Sequence, residues 1–356
     1  MREDRRSGDG SGGRARRGVR ILLFVVLLIV CSTGYSAADS LRDLVRLKRD
    51  SNPARREALQ EMLRERGIPF ELQTLESAAS PHGRTRGVNL VVTFGTGPRE
   101  ITVGAHYDAF ELKEGGLVDG MVDNGAATII LVRVAEALKD RALRHRVRVV
   151  LFDMEETGLL GSQAYVAAHK SDIDAAINLD ITAFGDALGY GFGNAAGTAR
   201  LRKALLLACA DQLLTCVDSA NSPPGDDRSF KDAGIPVVSL GFASRLVVHQ
   251  AWLLLNGGDY SGLAEGFVPG VFKIMHTSED NLSKVEPATL DLGFQVVLDT
   301  VLNLDAALHR SEGEAVLSVP SSGLLRERAL SEPLPKAGDV ATSGRFGVDS
   351  TEGARR

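Results

Sequence analysis

The segment VRVVLFDMEETGLLGS, residues 147–162, changes character halfway along its length. Five of its first six residues are apolar and three of them are β-branched, which predicts a strand over Val147–Phe152 that is buried on both faces. Three acidic residues follow at once, and Ser162–Ala168 is then predicted to be helical. In a sheet covered by helices, ligands bind beyond the carboxyl ends of the strands. A candidate site is therefore marked by Asp153, Glu155 and Glu156.

Strands and helices alternate along residues 39–310, which predicts one α/β domain with helices on both faces of a central sheet. We predict strands over Phe70–Leu75, Val88–Phe94, Glu100–Ala105, Val147–Phe152, Ala175–Leu179 and Val237–Leu240. We predict helices over Ser40–Lys48, Pro53–Arg66, Asn124–Leu138, Ser162–Ala168, Ala199–Leu214 and Pro287–Leu308. Residues 311–356 lack periodicity and are predicted to form a disordered tail.

The charge and composition of the chain exclude some classes of function. The formal net charge is −5, and aromatic residues make up 5% of the 356 residues. The sequence therefore has neither the basic footprint nor the stacking residues of a nucleic-acid-binding protein. The hydrophobic share of 44% is that of an ordinary globular protein with a sizeable core.

Residues 1–38 have the layout of a secretory signal. Basic residues precede the apolar run Ile21–Cys31, and small residues follow it, with Ser36-Ala37-Ala38 as a candidate cleavage site. The run is short for a membrane span, which needs about 20 apolar residues, but an uncleaved anchor is a second reading of the same pattern. We therefore expect export to the periplasm or the extracellular space, either free or tethered to the membrane through residues 21–31.

Cys209 and Cys216 are the two cysteines outside the apolar N-terminal run. Their spacing matches neither a zinc knuckle nor a redox C-x-x-C motif. An exported protein can join them in a disulfide, but not if both lie on one straight helix, where seven residues rise about 10 Å. A disulfide and a pair of small buried apolar residues therefore both fit the sequence.

Five residues with metal-binding side chains lie at the ends of predicted elements. Zn²⁺ prefers histidine nitrogen and carboxylate oxygen as ligands, and two ions about 3.5–4 Å apart need a carboxylate that bridges them. Asp123 suits the bridge, because it lies in a loop that a following helix fixes. One ion would then take His106 and Asp180, and the other would take Glu156 and His276. The sequence therefore predicts a centre of two zinc ions that activates a water molecule.

Two further acids beside these residues have predicted roles in catalysis. Adjacent side chains point to opposite faces of a regular strand, but they can diverge at its end, so that Glu156 faces a metal while Glu155 faces the water. We predict that Glu155 is the general base, which takes a proton from the attacking water and passes it to the leaving amine. Asp108 is expected to accept the other ring N–H of His106, which would fix the tautomer of that histidine.

Five blocks of the sequence stand out around these residues: TVGAHYD (102–108), GMVDNGAA (120–127), FDMEETGLLGS (152–162), NLDI (178–181) and MHTSEDN (275–281). They resemble the corresponding blocks of M28 family zinc aminopeptidases, which are related to the glutaminyl cyclases. The resemblance spans roughly residues 88–308. It implies a central mixed, mostly parallel sheet sandwiched between helices, as in zinc exopeptidases. It further implies a co-catalytic pair of zinc ions, removal of N-terminal residues from peptides, and a cis peptide bond after Asp123.

The sequence departs from the pattern of this family at two places. Family members often have an acid followed by a histidine near the substrate pocket, whereas Arg228 stands there in this chain. We therefore give Arg228 no role in the pocket, but keep Asp227 as a candidate for holding the amine of a substrate. Residues 244–271 look like an insertion before His276, and they contain the single tryptophan, Trp252. The insertion is either a packed loop or a lid or wall of the specificity pocket.

Three functions are compatible with these residues. The leading hypothesis is a zinc aminopeptidase that acts on peptides with a free N-terminus. A glutaminyl cyclase-like acyltransferase uses a similar scaffold, with one zinc ion and a carboxylate that shuttles a proton. The third is a non-catalytic binding ectodomain, but such proteins usually lose metal ligands, and this chain keeps all five together with Glu155. The same donors also accept other borderline divalent ions such as cobalt or manganese.

Overall fold

The computed structural model describes residues 37–76, 86–113 and 115–317. In this part of the chain, eight strands form a single mixed sheet with the order β1-β2-β4-β3-β5-β8-β6-β7. The strands are β1 (Glu71–Glu76), β2 (Arg86–Phe94), β3 (Glu100–His106), β4 (Arg146–Phe152), β5 (Ile173–Leu179), β6 (Ala187–Phe192), β7 (Thr215–Asp218) and β8 (Val237–Ala243).

The centre of the sheet is parallel, because β4, β3, β5 and β8 all run in the same direction. β1 and β2 extend the sheet in antiparallel fashion beside β4. On the other side β6 is antiparallel to β8, and β7 is parallel to β6. Every residue of β3 is buried, as expected for a central strand of a parallel sheet. The carboxyl ends of β4, β3 and β5 therefore meet at one edge.

Helices cover both faces of the sheet, as the sequence predicts. The larger core joins one face to α1, α2, α3, α5 and α9, and the smaller core joins the other face to α4 and α6. Strand β4 shows the division: Val149 and Leu151 belong to the larger core, and Val150 and Phe152 to the smaller. The helices are α1 (Ala37–Arg46), α2 (Asn52–Glu65), α3 (Ala126–Leu138), α4 (Leu160–His169), α5 (Thr198–Asp211), α6 (Asp227–Asp232), α7 (Arg245–Asn256), α8 (Gly270–Ile274) and α9 (Pro287–Leu317).

The region around the two cysteines differs from the predicted helix. That helix was expected over Ala199–Leu214, but α5 ends at Asp211. Leu213 then takes a backbone angle φ of 50°, which turns the chain into β7. Cys209 and Cys216 therefore lie on different elements, and they form a disulfide with their Cα atoms 6.4 Å apart. Of the two readings that the sequence allowed, the structure contains the disulfide.

Both ends of the described chain extend beyond the predicted domain. α9 continues to Leu317, so residues 311–317 are helical where a disordered tail was predicted. α1 begins at Ala37, within the predicted signal segment 1–38. The rest of that segment and residues 318–356 lie outside the described residues, as does the apolar run of the predicted anchor. Among the helices that the structure describes, none is both long and apolar enough to cross a membrane.

Candidate active site

The parallel centre of the sheet brings four of the predicted site residues to one edge. His106 is the last residue of β3, Glu155 and Glu156 follow the end of β4, and Asp180 follows the end of β5. β3 pairs in parallel with both of the other strands, so their carboxyl ends are neighbours. The alternation of apolar runs and acids in the sequence is thereby converted into a cluster in space.

Asp123 reaches the same edge from a wide helical turn, Met121–Gly125, that precedes α3. The predicted helix Asn124–Leu138 therefore begins late, at Ala126. Asp123 and Asn124 have backbone angles that are not helical. The peptide bond between them is cis, as the family resemblance implies. This turn presents the carboxylate of Asp123 at the start of a helix that is itself buried in the larger core.

The side chain of Asn124 links Asp123 to the end of β5. Its Nδ2 donates a hydrogen bond to the carbonyl of Leu179 at 2.8 Å, and its Oδ1 accepts one from the N–H of Ile181 at 3.2 Å. These two bonds lie on either side of Asp180. Asn124 is fully buried, so it fixes the distance between two of the predicted metal ligands. Asn124 is not among the site residues predicted from the sequence.

The five predicted ligands form two groups that share Asp123. His106 Nε2 lies 3.2 Å from Asp123 Oδ1 and 3.8 Å from Asp180 Oδ1. His276 Nε2 lies 3.5 Å from Asp123 Oδ2 and 3.0 Å from Glu156 Oε2. In each group the donor atoms lie within 4.8 Å of one another. Asp123 thus presents one carboxylate oxygen to each histidine.

His276 is the most exposed member of the cluster, with 43% of its side chain accessible. It follows α8, and its ring stacks on Phe110 with the ring centroids 4.3 Å apart and an interplanar angle of 11°. Phe110 lies just after the segment that carries His106, so it joins the two histidine-bearing parts of the site. Phe110 is not among the site residues predicted from the sequence.

Three residues at the site have positive backbone φ angles although none of them is glycine. Met154, Ile181 and His276 have φ values of 60°, 55° and 59°. Met154 precedes Glu155, and Ile181 follows Asp180. Such conformations are uncommon for these residue types and persist only where the surrounding structure enforces them. The backbone at the site is therefore held in place by its surroundings.

Asp108 is placed differently from the prediction. The Nδ1 of His106 lies 3.1 Å from the main-chain carbonyl of Asp108, whereas the carboxylate of Asp108 is 3.6 Å away. That carboxylate instead accepts hydrogen bonds from the N–H groups of Glu155 and Glu156, at 3.1 and 3.3 Å. A carbonyl can only accept, so it holds the Nδ1–H tautomer of His106 and leaves Nε2 as a donor for metal. The Asp108 carboxylate positions the turn that carries the two glutamates.

The pKa values at the site reflect crowded acids that are shielded from water. Burial raises the pKa of Glu155 well above its usual range, that of Glu156 to about 7, and that of Asp180. Burial alone would lower the pKa of His106, but the charge of Glu155 and hydrogen bonds to neighbouring acids outweigh it and raise that pKa. The hydrogen bond to Glu156 raises the pKa of His276. A site with this excess of negative charge favours cations.

The donor set fits divalent metal ions, zinc among them. Histidine nitrogen and carboxylate oxygen are its preferred ligands. Glu156 Oε1 and Asp180 Oδ1 are buried and make no hydrogen bond to the described residues. Buried polar atoms are normally paired, and a metal ion at each group would satisfy one of these oxygens.

Asp227 is predicted to contact the amine of a substrate. It is not among the residues that line the cavity beside the site. It is buried, and its carboxylate forms an ion pair with Lys231, one turn later on α6. The preceding residue, Asp226, is equally buried, and burial raises its pKa to about 7. Arg228 is exposed. The charge of Asp226 contributes to the raised pKa of Glu155, and the role of Asp227 in holding a substrate amine stays a prediction.

A cavity of about 240 Å³ opens beside the acidic cluster. Asp123, Glu155, Glu156 and Asp180 line it at one side, and apolar residues line most of the remainder. α7, which lies in the predicted insertion 244–271, contributes Val248, Trp252 and Leu255 to the wall. The insertion was predicted to be either a packed loop or a lid or wall of the pocket. In the structure its helix α7 forms part of the cavity wall.

The sequence pattern that defines peptidase family M28 matches residues 89–324. The chain belongs to this family. The M28 chain is 27% identical over 190 residues to the alkaline phosphatase isozyme conversion protein of Escherichia coli (strain K12), a match that covers 46% of this chain and 55% of that protein. It is 25% identical over 216 residues to leucine aminopeptidase 2 of Trichophyton equinum, a match that covers 56% of this chain and 41% of that protein. The chain thus spans about half the length of the curated relatives it matches.

Solved structures share the fold of this M28 chain. The LapA aminopeptidase of Legionella pneumophila superposes with a TM-score of 0.57 at 14% identity, covering 76% of this chain and 72% of that one. The glutaminyl cyclase of Porphyromonas gingivalis superposes with a TM-score of 0.56 at 18% identity, covering 75% of this chain and 97% of that one. One fold thus serves a peptidase and a cyclase, so a functional assignment has to rest on the residues of the site.

Proposed function

We propose that this M28 chain is an aminopeptidase that removes N-terminal residues from peptides with the help of two zinc ions. The observation that supports this most is the placement of Asp123, whose two oxygens face two separate histidine–acid groups. A cyclase of the kind considered above needs one zinc ion, whereas this chain retains both groups of ligands. We assign His106, Asp123 and Asp180 to one ion, and Asp123, Glu156 and His276 to the other.

The metal ions and Glu155 have distinct tasks in the proposed reaction. Zinc supplies a Lewis acid that polarises the scissile carbonyl and acidifies water. Glu155 lines the cavity together with the proposed ligands Asp123, Glu156 and Asp180. A carboxylate oxygen of Glu155 accepts the proton of the attacking water and then donates it to the leaving amine. The Asp108 carboxylate holds the main chain of Glu155 during this exchange.

The cavity supports a preference for apolar N-terminal residues. The cationic amine of a peptide N-terminus is attracted by the acids at one side of the cavity. The side chain of the first residue then occupies the apolar remainder, which is lined by Leu240, Val248, Trp252, Leu255 and Phe272. Burying apolar side chains there is favourable at roughly 25 cal/mol per Å².

Glu155→Gln tests the proposed chemistry. The amide keeps the shape of the side chain but cannot accept a proton, so kcat for aminoacyl-arylamide hydrolysis should fall about 10²- to 10⁴-fold while zinc content stays near two per chain. The exposed Glu265→Gln is the matched control and should leave both quantities unchanged. Pyroglutamate formation by the wild type without hydrolysis of any aminoacyl substrate would contradict the proposal. Full activity of Glu155→Gln would refute the role of this residue.

We also propose that the protein is exported, with residues 1–38 as signal or anchor. The disulfide between Cys209 and Cys216 supports an oxidising compartment. Cell fractionation and N-terminal sequencing of the purified protein test this proposal. A mature N-terminus near residue 38 indicates cleavage, and recovery of the uncut chain from membranes indicates a tether. An uncut chain in the cytoplasm would contradict export.

A further inference from the structure

Helix α7 leads the cavity wall from the middle of the sheet to its edge. Val248 packs with Ala187 of β6 and Ala243 of β8. One turn later, Trp252 Nε1 donates a hydrogen bond to the carbonyl of Asp218 in β7 at 3.0 Å. β8, β6 and β7 are consecutive strands of the sheet, and β7 is its last strand. The second half of α7 is therefore attached to the edge strand.

The end of α7 is fastened to the loop after β7 by polar side chains. Asn256 Nδ2 donates to Ser219 Oγ at 2.8 Å, and Asn256 Oδ1 accepts the N–H of Asn221, also at 2.8 Å. Asn221 Nδ2 donates in turn to the carbonyl of Leu255 at 3.2 Å. Together with the Trp252 hydrogen bond, these contacts connect α7 to the edge strand and its loop. We call the four residues Ser219, Asn221, Trp252 and Asn256 the edge clasp.

The edge clasp joins two walls of the cavity. The loop after β7 contributes Ser219, Pro223 and Pro224 to the cavity wall. Helix α7 contributes Trp252 and Leu255. The acids of the site belong to the middle of the sheet, where Asp180 follows β5. β5 and β7 are three strand spacings apart, which is about 14 Å. The clasp therefore lies at the end of the cavity opposite to the acids.

We propose that the edge clasp closes the far end of the cavity and thereby sets the longest N-terminal side chain that the enzyme accepts. This inference rests on the proposed aminopeptidase function, because it concerns the side chain of the first residue of a peptide. An apolar wall distinguishes apolar side chains by size alone, and one methylene group changes kcat/KM by about 10- to 200-fold in a closely fitting pocket. Trp252 is the wall residue, and Asn256 holds it through the clasp.

Substrates of graded length test the proposal on the zinc-loaded full chain. The p-nitroanilides of alanine, leucine and 2-aminooctanoic acid are compared for the wild type, Asn256→Ala and Trp252→Ala. We expect both variants to raise the ratio of kcat/KM for the eight-carbon residue over leucine by about tenfold or more, with alanine little changed. Leu254→Ala is the control, since this side chain is on the same helix but 43% exposed. An unchanged ratio, or an equal fall with all three substrates, would overturn the proposal.

Trp252 also provides a readout that needs no activity, because it is the only tryptophan in the chain. Primary n-alkylamines from butyl to decyl serve as probes, and tryptophan fluorescence reports their binding. The wild type should respond up to a limiting chain length, and Asn256→Ala should respond beyond it. A wild type that hydrolyses no aminoacyl substrate defeats the proposed function while this titration still tests the clasp. A wild type that hydrolyses them, with the same length limit in Asn256→Ala, defeats the clasp alone.

Discussion

Arg55 donates its Nε hydrogen to the main-chain carbonyl of Tyr107 at 2.7 Å, one residue after His106. The same guanidinium donates to the carbonyls of Asp119 at 2.7 Å and Gly120 at 3.1 Å, just before the turn that carries Asp123. The side chain is fully buried, and burial lowers its pKa to about 10. One side chain of α2 thus holds together the two chain segments that provide ligands for the same proposed metal ion.

Arg55→Lys should weaken metal binding, although Arg55 acts on the ligands only through main-chain carbonyls beside them. An ammonium group cannot match the planar fork that reaches these carbonyls, so the segments of His106 and Asp123 would lose their common support. We expect zinc affinity to fall about 10- to 100-fold and unfolding free energy to fall by about 1–3 kcal/mol. Competition with a fluorescent chelator and urea unfolding measure the two quantities. Arg49→Lys, at an exposed position, is the control, and unchanged zinc affinity in Arg55→Lys would contradict the argument.

The central part of the fold and of the site could be predicted from sequence because its signals are local. β4 combines a buried apolar run with acids at its end, and β3 and β5 repeat this pattern before His106 and Asp180. The parallel order of these strands then follows from alternation with helices. β6 escaped prediction, because Gly189 and Gly191 interrupt its apolar residues.

The supports of the ligands could not be predicted, because their partners are main-chain groups that are distant in sequence. Asp280 accepts hydrogen bonds from the N–H groups of Val122 and Asp123 at 2.6 and 3.2 Å, across more than 150 residues. Arg55 and Asn124 act in the same way through carbonyl groups. Side-chain identity gives no indication of which backbone group it will meet, so these contacts emerge only from the fold.

Phe110→Ala should remove one of the two proposed metal ions more readily than the other. Phe110 stacks on His276, the exposed ligand, whereas His106 is buried and held by the main-chain carbonyl of Asp108. Without the ring, His276 can change rotamer in the metal-free protein. Metal binding must then restrict this side chain, and the lost conformational entropy weakens binding. We expect zinc content after dialysis to fall from near two to near one per chain, as measured by atomic emission. Phe110→Tyr keeps the ring and should keep both ions, and equal loss of both ions in Phe110→Ala would argue against this reading.

His169 should make the stability of the protein decrease in mild acid. Arg148 Nη1 lies 3.1 Å from His169 Nδ1 and donates to it when the ring is neutral. Burial, followed by the charge of Arg148, lowers the pKa of His169 below its usual value, which is about 6.5 in the unfolded chain. The unfolded state then binds more protons, so this stabilisation is present above about pH 6.5 and is lost as the pH falls through the folded pKa.

Urea unfolding of the wild type, His169→Gln and His249→Gln at pH 7.5 and pH 5 separates this effect from other titrations. Glutamine has no ionisable group, so His169→Gln should lose less stability between the two pH values than the wild type does. His249 is exposed on α7, and its variant should follow the wild type. If His169→Gln and the wild type lose equal stability, the contact with Arg148 does not govern this pH dependence.

Removal of the disulfide should affect both the stability of the protein and the edge clasp. Cys216 lies on β7 two residues before Asp218, whose carbonyl accepts the hydrogen bond of Trp252. A cross-link over a sequence separation of 7 contributes about 2–3 kcal/mol by restricting the unfolded chain. Cys209→Ser/Cys216→Ser should therefore unfold at lower urea concentration.

Because β7 is the edge strand and pairs only with β6 in the described sheet, the double variant should also relax the chain-length limit for n-alkylamines seen by Trp252 fluorescence. Ala220→Ser, at an exposed position in the loop after β7, is the control. Lower stability with an unchanged length limit would mean that hydrogen bonds alone hold the clasp.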